Sequence, residues 1–281
     1  MTEILKAIFL GIVQGVTEFL PVSSSGHLVL MRDLLGWKLA SPSTFDVAVH
    51  VATLAAVLAV FTPEIARSIR GLRTLLKSEY WTNPAAIPEY SFQSGRLAWL
   101  VIVGTVPTVI IGLLFYLFLH DFLDGPDPRI VGLLLIITGC VLFVTRNAPQ
   151  GNRGLIALRI PDAVVVGIMQ GLAILPGISR SGVTISTGLL KGMERKLAGR
   201  FSFLLAVPAI IGAGVLKTRE LFSTGISDVD FTVVGMIAAF ISGYAALRVL
   251  LKVVEKGRLG GFAYYCWLVG LLAVIGGFLQ H

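Results

Sequence analysis

Six stretches of the sequence are apolar for long enough to cross a lipid bilayer. They cover residues 45–62, 96–119, 129–146, 201–217, 231–251 and 261–280. A membrane-spanning helix needs about 20 predominantly apolar residues. Each stretch therefore predicts one transmembrane helix.

Two further apolar stretches, residues 3–35 and 160–190, are interrupted midway by clusters of Pro, Gly and Ser. Backbone that leaves the helix at membrane depth survives only inside protein or beside water, because lipid offers its polar groups no partner. Each stretch therefore predicts a re-entrant helix–loop–helix hairpin. The predicted fold is an all-α integral membrane protein, a single domain over residues 1–281 with six transmembrane helices and two re-entrant hairpins.

Composition agrees with this class, since the 281 residues are 55% hydrophobic and only 14% charged. The net charge of +7 does not indicate nucleic acid, because the basic residues lie in short loops between apolar segments. Lys and Arg collect on the cytoplasmic side of membrane proteins. Loops 63–95, 147–160, 191–200 and 252–260 are basic, whereas loops 120–128 and 222–230 are acidic. This alternation predicts that both broken stretches re-enter and that both termini lie outside.

The two broken stretches align with each other without a gap. GIVQGVTEFLPVSSSGH (11–27) over GIMQGLAILPGISRSGV (167–183) pairs Gln14 with Gln170 and Ser23 with Ser179. Chance similarity between Gly-rich helices is the alternative, but Gln, two Ser and Gly recur in register beside the same break. The halves, about 1–146 and 160–281, thus predict an inverted repeat. In such folds the site forms where the discontinuous segments meet near the midplane.

Gln14 and Glu18 lie one helical turn apart on the same face of the first broken stretch. A carboxylate within the membrane indicates function by default, the alternative being an interfacial Glu paired with a base. Oxygen ligands of this kind suit Mg²⁺ or Ca²⁺, with phosphate oxygens and water completing the coordination. We therefore predict a divalent cation near Gln14 and Glu18.

A turn rich in hydroxyl groups follows, made of Ser23, Ser24, Ser25, Gly26 and His27. Gly permits close backbone approach, and a helix that begins here would direct free N–H groups at the loop. Ser is a candidate nucleophile, and His is a candidate proton carrier near neutral pH. A single Ser or His would more simply be a cap or a structural residue, but the five together beside Glu18 indicate chemistry. We expect Ser23, Ser25 and Gly26 to bind the substrate.

The second break contributes four predicted substrate-binding residues, Ser179, Arg180, Ser181 and Thr184. An Arg at membrane depth is costly unless it binds an anion, and its planar fork matches phosphate oxygens. Carboxylate, Ser, His and Arg around two helix N-termini predict a phosphoryl-transfer site. In a membrane the substrate would be an amphiphile that carries phosphate.

Three other polar groups are interpreted as structural. Asp46 and His50 are spaced to neutralise each other on one helix face, and Asp162 follows Pro161 as a helix start. Tyr244 and Arg248 are expected to be interfacial or packing residues.

EFLPVSSSGH, with Gln14 four residues before Glu18, and PGISRSG at 176–182 closely resemble the two signatures of bacterial undecaprenyl-diphosphate phosphatases, the bacitracin-resistance family. The resemblance runs the length of the chain and includes FSFLLAVP at 201–208. It implies removal of the terminal phosphate of undecaprenyl diphosphate on the outer face of the inner membrane. That reaction regenerates the lipid carrier for peptidoglycan precursors, and its loss sensitises cells to bacitracin.

The resemblance also implies site residues. It places a divalent cation near Gln14 and Glu18, makes Ser24 a proposed nucleophile and His27 essential, and puts Ser179, Arg180 and Thr184 at diphosphate-binding positions. Many members have Glu where this chain has Gln14, which removes one negative charge and weakens the case for direct metal ligation.

Joined, these lines predict that Glu18 orients the site, Ser24 attacks the terminal phosphorus, His27 handles the proton and Arg180 holds the diphosphate. Direct attack by water, with Ser24 only positioning it, stays open. A transporter or flippase of the lipid carrier, and a non-catalytic lipid-diphosphate receptor, are the competing interpretations. A homodimer is possible.

Overall fold

The computed structural model describes residues 3–36, 42–83, 87–119, 122–123, 126–224 and 229–279, and within them it is helical with no strand. The helices of the first half are α1 Glu3–Phe19, α2 Ser24–Leu34, α3 Pro42–Leu75, α4 Ser78–Thr82, α5 Glu89–Phe118 and α6 Pro128–Val144. Those of the second half are α7 Ile160–Leu172, α8 Arg180–Leu190, α9 Arg195–Thr224, α10 Val229–Glu255 and α11 Gly261–Leu279.

Six of these helices are long and apolar enough to cross a membrane, namely α3, α5, α6, α9, α10 and α11. They coincide with the six predicted segments, so the prediction of a multi-pass all-α membrane protein is confirmed. Many of their large apolar side chains are exposed, including Val106, Leu114 and Leu272. In a bilayer such side chains face lipid.

The predicted loop 63–95 is mostly helical, because α3 continues to Leu75 and α5 begins at Glu89. The basic side chains that marked the loop support the extension, since Arg67 Nε donates to the carbonyl of Pro63 (3.0 Å) and Arg70 Nε to that of Ala66 (3.2 Å). Close packing also supports it: a Cβ on Gly71 would lie 2.5 Å from the Ser94 carbonyl carbon of α5. The helices therefore extend beyond the apolar segments that the sequence delimits.

Both broken stretches form pairs of short helices, α1 with α2 and α7 with α8, and the two helices of each pair pack against one another. α1 packs mainly against α10, and α7 mainly against α5. A Cβ on Gly11 would lie 2.3 Å from the carbonyl oxygen of Gly235, and one on Gly167 would lie 2.0 Å from that of Gly104. Gly11 and Gly167, which the sequence alignment pairs, thus each make a close contact with a helix of the other half. Re-entry of the hairpins and the inverted repeat themselves stay predictions.

The largest buried cluster lies between the two halves and includes Phe19 at the end of α1. The Phe19 ring meets Phe203 of α9 edge-on, with centroids 5.9 Å apart, and Phe61 of α3 lies 6.0 Å from the same ring. This core fixes the end of α1, where Glu18 precedes the break. Among the predicted loop residues, Asp121, Asp124 and Asp228 lie outside the described residues.

Candidate active site

The tips of the two hairpins contact each other directly. The backbone N–H of Gly177 donates to Ser23 Oγ (3.0 Å), and Ser181 Oγ donates to the carbonyl of Leu20 (3.4 Å). A Cβ on Gly26 would lie 3.2 Å from the Cα of Gly177. The two tips therefore lie so close together that a side chain at position 26 would push them apart.

Both second helices of the hairpins begin with the same cap. Ser23 Oγ accepts from the Gly26 N–H (3.4 Å) at the start of α2, and Ser179 Oγ accepts from the Gly182 N–H (3.1 Å) at the start of α8. Ser, with its short hydroxyl, is among the preferred residues for this position. The caps make Ser24 and Arg180 the first residues of their helices. Both side chains therefore lie at helix N-termini, which carry partial positive charge.

Glu18 is the centre of the site. Its Oε1 accepts from Arg180 Nη2 at 2.7 Å, and its Oε2 accepts from Ser24 Oγ at 2.6 Å and from Gln14 Nε2 at 3.0 Å. The side chains of Glu18 and Arg180 are only 6% and 14% exposed. The structure thus brings together Gln14, Glu18, Ser24 and Arg180, as the aligned breaks predict.

Thr184, Ser181 and Ser179, predicted to bind substrate, direct their hydroxyl groups into the protein. Thr184 Oγ1 donates to the Arg180 carbonyl (2.7 Å) and contacts Ser202 Oγ (2.5 Å), while Ser179 and Ser181 contact each other (3.3 Å). All three are buried. The reason is local: Ser179 is a helix cap, and Thr184 lies one turn further, facing α9. These hydroxyls support the start of α8, where Arg180 lies, and in the hydrogen bonds of the described residues they do not reach Glu18.

Ser25, also predicted to bind substrate, lies 3.5 Å from Ser23 between their hydroxyl oxygens. The Ser23 hydroxyl oxygen already accepts from backbone N–H groups of both hairpins, those of Gly26 and Gly177. Of the three serines in the turn, Ser24 is the one whose hydroxyl reaches Glu18.

His27 does not contact Ser24 in the hydrogen bonds of the described residues. Its Nδ1 donates to the carbonyl of Ser23 (2.8 Å), and its Nε2 lies 2.8 Å from the hydroxyl of Tyr265 on α11. The Ser24 hydroxyl donates to Glu18. The expectation that His27 handles the proton stays a prediction. Sequence analysis missed Tyr265, which is one aromatic residue in an apolar helix and carries no local signal.

The predicted pair of Asp46 and His50 is wrong. The Asp46 carboxylate accepts from Arg32 Nη2 (2.9 Å), a stronger partner than imidazole. His50 Nδ1 donates to the Asp46 backbone carbonyl (2.7 Å), and its Nε2 lies 3.6 Å from Glu18 Oε2. His50 therefore belongs to the site.

Asp162 and Tyr244 match their structural interpretations: Asp162 Oδ2 accepts from the Arg159 N–H (2.9 Å), and Tyr244 contacts Arg248 (2.6 Å).

The donor set does not fit a resident divalent cation at Gln14 and Glu18. Both oxygens of Glu18 already accept hydrogen bonds, and one of them is paired with the positive charge of Arg180. Gln14 leaves one buried oxygen without a partner, and this oxygen is neutral. Over the described residues no group of three or more His, Cys, Asp or Glu side chains is placed to hold a metal. Cations are bound in proteins mainly by several oxygens with net negative charge.

The chain is similar over nearly its whole length to curated proteins that share one name. The relative named undecaprenyl-diphosphatase in Desulforapulum autotrophicum is 42% identical to this chain over 278 residues, which cover 99% of each chain. The relative of that name in Desulfosudis oleivorans is 44% identical over 274 residues, which cover 95% of this chain and 96% of the relative. The relative of that name in Halothermothrix orenii is 41% identical over 275 residues, 97% of this chain and 98% of its own.

The sequence profile of the bacitracin resistance protein BacA family matches residues 7–272, which include both hairpin breaks and all of the side chains around Glu18. The chain belongs to the bacitracin resistance protein BacA family.

Proposed function

We propose that this protein is a membrane phosphatase that hydrolyses undecaprenyl diphosphate to undecaprenyl phosphate and inorganic phosphate. The names of its full-length relatives support this activity. The single observation that carries the assignment is the contact of a hydroxyl nucleophile and a guanidinium with one buried carboxylate, Glu18. The product is the lipid carrier of peptidoglycan precursors, so the activity contributes to cell-wall synthesis and bacitracin resistance.

Arg180 is the proposed diphosphate-binding residue. Its Nη2 is paired with Glu18, while its Nη1 is buried without a hydrogen-bond partner. A phosphate oxygen is the acceptor that such a guanidinium prefers, since the fork can donate two parallel bonds. The N-termini of α2 and α8 add N–H groups and partial positive charge. The diphosphate would therefore be held above Ser24 and draw Arg180 away from Glu18.

Ser24 is the proposed nucleophile and Glu18 its base. Ser24 Oγ attacks the terminal phosphorus, the bond from that phosphorus to the bridging oxygen breaks, and undecaprenyl phosphate leaves. Glu18 Oε2 accepts the hydroxyl proton across the 2.6 Å hydrogen bond. Water then hydrolyses the phosphoserine and releases inorganic phosphate. Direct attack by water oriented by Ser24 and Glu18 is the second route, and trapping of phospho-Ser24 distinguishes the two.

The orientation of the site is part of the proposal. Basic residues at 191–200 and 252–260 support a cytoplasmic position of these segments, and with it a topology in which both termini and the active site face outside. A transporter is not favoured, because the full-length relatives are named for a phosphatase.

Phosphate release from undecaprenyl diphosphate by the detergent-purified protein tests the function. We expect wild-type turnover, a loss of more than a hundredfold in Ser24→Ala and in Arg180→Ala, and no change in Arg248→Ala, whose exposed guanidinium contacts Tyr244. Absence of wild-type release refutes the phosphatase. Wild-type turnover in Ser24→Ala refutes the nucleophile alone.

The role of a divalent cation is decided by the same assay with a chelator and with added Mg²⁺ or Ca²⁺. The sequence predicts a requirement, whereas the donors around Glu18 leave no vacant charged ligand. Binding of the metal to the substrate-free protein, measured by titration calorimetry, tests the fit independently of activity. We expect no saturable binding at the Gln14 and Glu18 side chains.

A further inference from the structure

Ser23 has an unusual backbone conformation. Its φ is +69° and its ψ is 98°, and among the described residues it is the one non-glycine residue with positive φ. Positive φ is unfavourable for residues with a Cβ, and it persists only where the surrounding structure enforces it. Ser23 directly precedes Ser24. The conformation of Ser23 thus determines where the Ser24 hydroxyl points.

Hydrogen bonds from the second hairpin and from His27 hold Ser23 in this conformation. Its side chain accepts from the Gly177 N–H (3.0 Å), which ties it to the second hairpin. Its carbonyl accepts from His27 Nδ1 (2.8 Å), in addition to the ordinary helical bond from the His27 N–H (3.1 Å). A carbonyl can only accept, so Nδ1 carries a proton. The imidazole thereby fixes the orientation of the peptide group between Ser23 and Ser24.

The imidazole is in turn fixed by Tyr265 from α11. With Nδ1 protonated, the Nε2 of a neutral ring accepts from the Tyr265 hydroxyl, whereas the Nε2 of a charged ring donates to the phenol oxygen. The two atoms are 2.8 Å apart, and the rings are nearly parallel at 7° with centroids separated by 5.6 Å. His27 is 3% exposed. Both ring nitrogens are therefore occupied within the protein.

We infer that Tyr265 is a positioning residue that acts through His27 to hold Ser24 in its attacking geometry. This inference rests on the proposed function, in which Ser24 attacks phosphorus. It assigns His27 to support of the Ser23–Ser24 peptide, because the proton of Ser24 is directed at Glu18. Substrate binding depends on Arg180 of the other hairpin, so loss of this support lowers kcat and leaves KM nearly unchanged.

Side-chain replacements separate this role from proton transfer. The amide N–H of Asn can occupy the place of the imidazole Nδ1–H, but Asn cannot carry a proton between groups. We expect His27→Asn to keep at least tenfold more kcat than His27→Ala. Tyr265→Phe keeps the ring and loses one hydrogen bond, which corresponds to a roughly three- to tenfold lower kcat. The double variant Tyr265→Phe with His27→Asn should lose no more than His27→Asn alone, because the partner of the hydroxyl has gone.

The adjacent Tyr264 supplies a matched control. Its hydroxyl accepts from Arg146 Nη1 (3.0 Å) at an exposed position away from His27. Tyr264→Phe should keep wild-type kcat and KM. All variants are compared in the phosphate-release assay with undecaprenyl diphosphate, and their thermal unfolding midpoints in detergent are measured alongside.

Three outcomes would overturn the inference while wild-type turnover upholds the phosphatase. In the first, Tyr265→Phe has the same kcat as wild type. In the second, His27→Asn and His27→Ala both fold and are equally inactive. In the third, Tyr265→Phe changes KM and leaves kcat unchanged. If His27→Ala does not fold, the kcat of Tyr265→Phe compared with that of Tyr264→Phe still tests the inference. A wild-type protein without turnover would refute the proposed function instead.

Discussion

The ion pair between Glu18 and Arg180 predicts a large energetic coupling between the two hairpins. Both side chains are more than four-fifths buried, with a separation of 2.7 Å between Nη2 and Oε1. Removal of one partner of a buried pair leaves an uncompensated charge, at a cost of about 3–5 kcal/mol. Ser24 and Gln14 still donate to Glu18 in Arg180→Met. We therefore expect the lower value, about 3 kcal/mol off the free energy of unfolding.

A second replacement should recover much of that loss. Glu18→Gln removes the stranded charge, so the double variant with Arg180→Met should be at least about 2 kcal/mol more stable than Arg180→Met alone. Neither protein should release phosphate. Stability, measured by SDS titration of the protein in mixed micelles, therefore reports the contact independently of activity.

Arg248→Met serves as the control, since this guanidinium is exposed on α10 and contacts Tyr244. It should change the free energy of unfolding by less than about 0.5 kcal/mol. If the effects of Glu18→Gln and Arg180→Met are additive within about 0.5 kcal/mol, the two hairpins are not joined by this pair. The proposed diphosphate site would then lose its basis.

Three further changes test the surroundings of the site. His50→Leu replaces the imidazole whose Nε2 lies 3.6 Å from Glu18 Oε2 with an apolar group and should lower kcat roughly tenfold. His50→Gln keeps a polar group there and should retain most of the phosphate release, and equal loss in both variants would contradict a polar role for His50. Ser23→Gly should be more stable than Ser23→Ala by about 1 kcal/mol in chemical unfolding, because only Gly adopts positive φ freely. The reverse order would argue against backbone strain at Ser23. Gly15→Ala places a Cβ 2.1 Å from Ser242 Oγ and should lower stability by about 1–3 kcal/mol in the same measurement. Gly276→Ala, with open space around it, should be neutral or slightly stabilising, and equal effects at the two glycines would refute the packing argument.

Residues whose neighbours lie close in sequence were predicted well. Gln14 and Glu18 are one turn apart, so the helix brings them together, and their bond is 3.0 Å long. Ser23 and Ser179 were predicted to bind substrate, and the structure shows them capping new helices, which was the structural alternative for a short hydroxyl residue. Arg180 was placed beside Glu18 by the aligned breaks rather than by local pattern, because repeats in opposite orientation bring their interruptions to one place.

Residues whose role depends on packing were missed or assigned wrongly. Tyr265 reaches His27 only because α11 lies beside the first hairpin, and nothing in FAYYCWL indicates it. His50 was paired with Asp46 from spacing alone, but Arg32 on α2 takes the carboxylate. Thr184 shares the second break with Arg180, yet its hydroxyl faces Ser202.

The sequence by itself determined the membrane class, the six spans and the two breaks, because each follows from the polarity of consecutive residues against the thickness of a bilayer. It also determined the identity of the polar groups in the breaks. Only the tertiary structure decided which of those groups face each other. The rotation of each short helix is set by close contacts, such as Gly11 on Gly235 for α1 and Gly26 on Gly177 for α2. It turns Ser24 and Arg180 toward Glu18 and turns His27 toward Tyr265. That rotation depends on side-chain packing between distant segments, which no local pattern encodes.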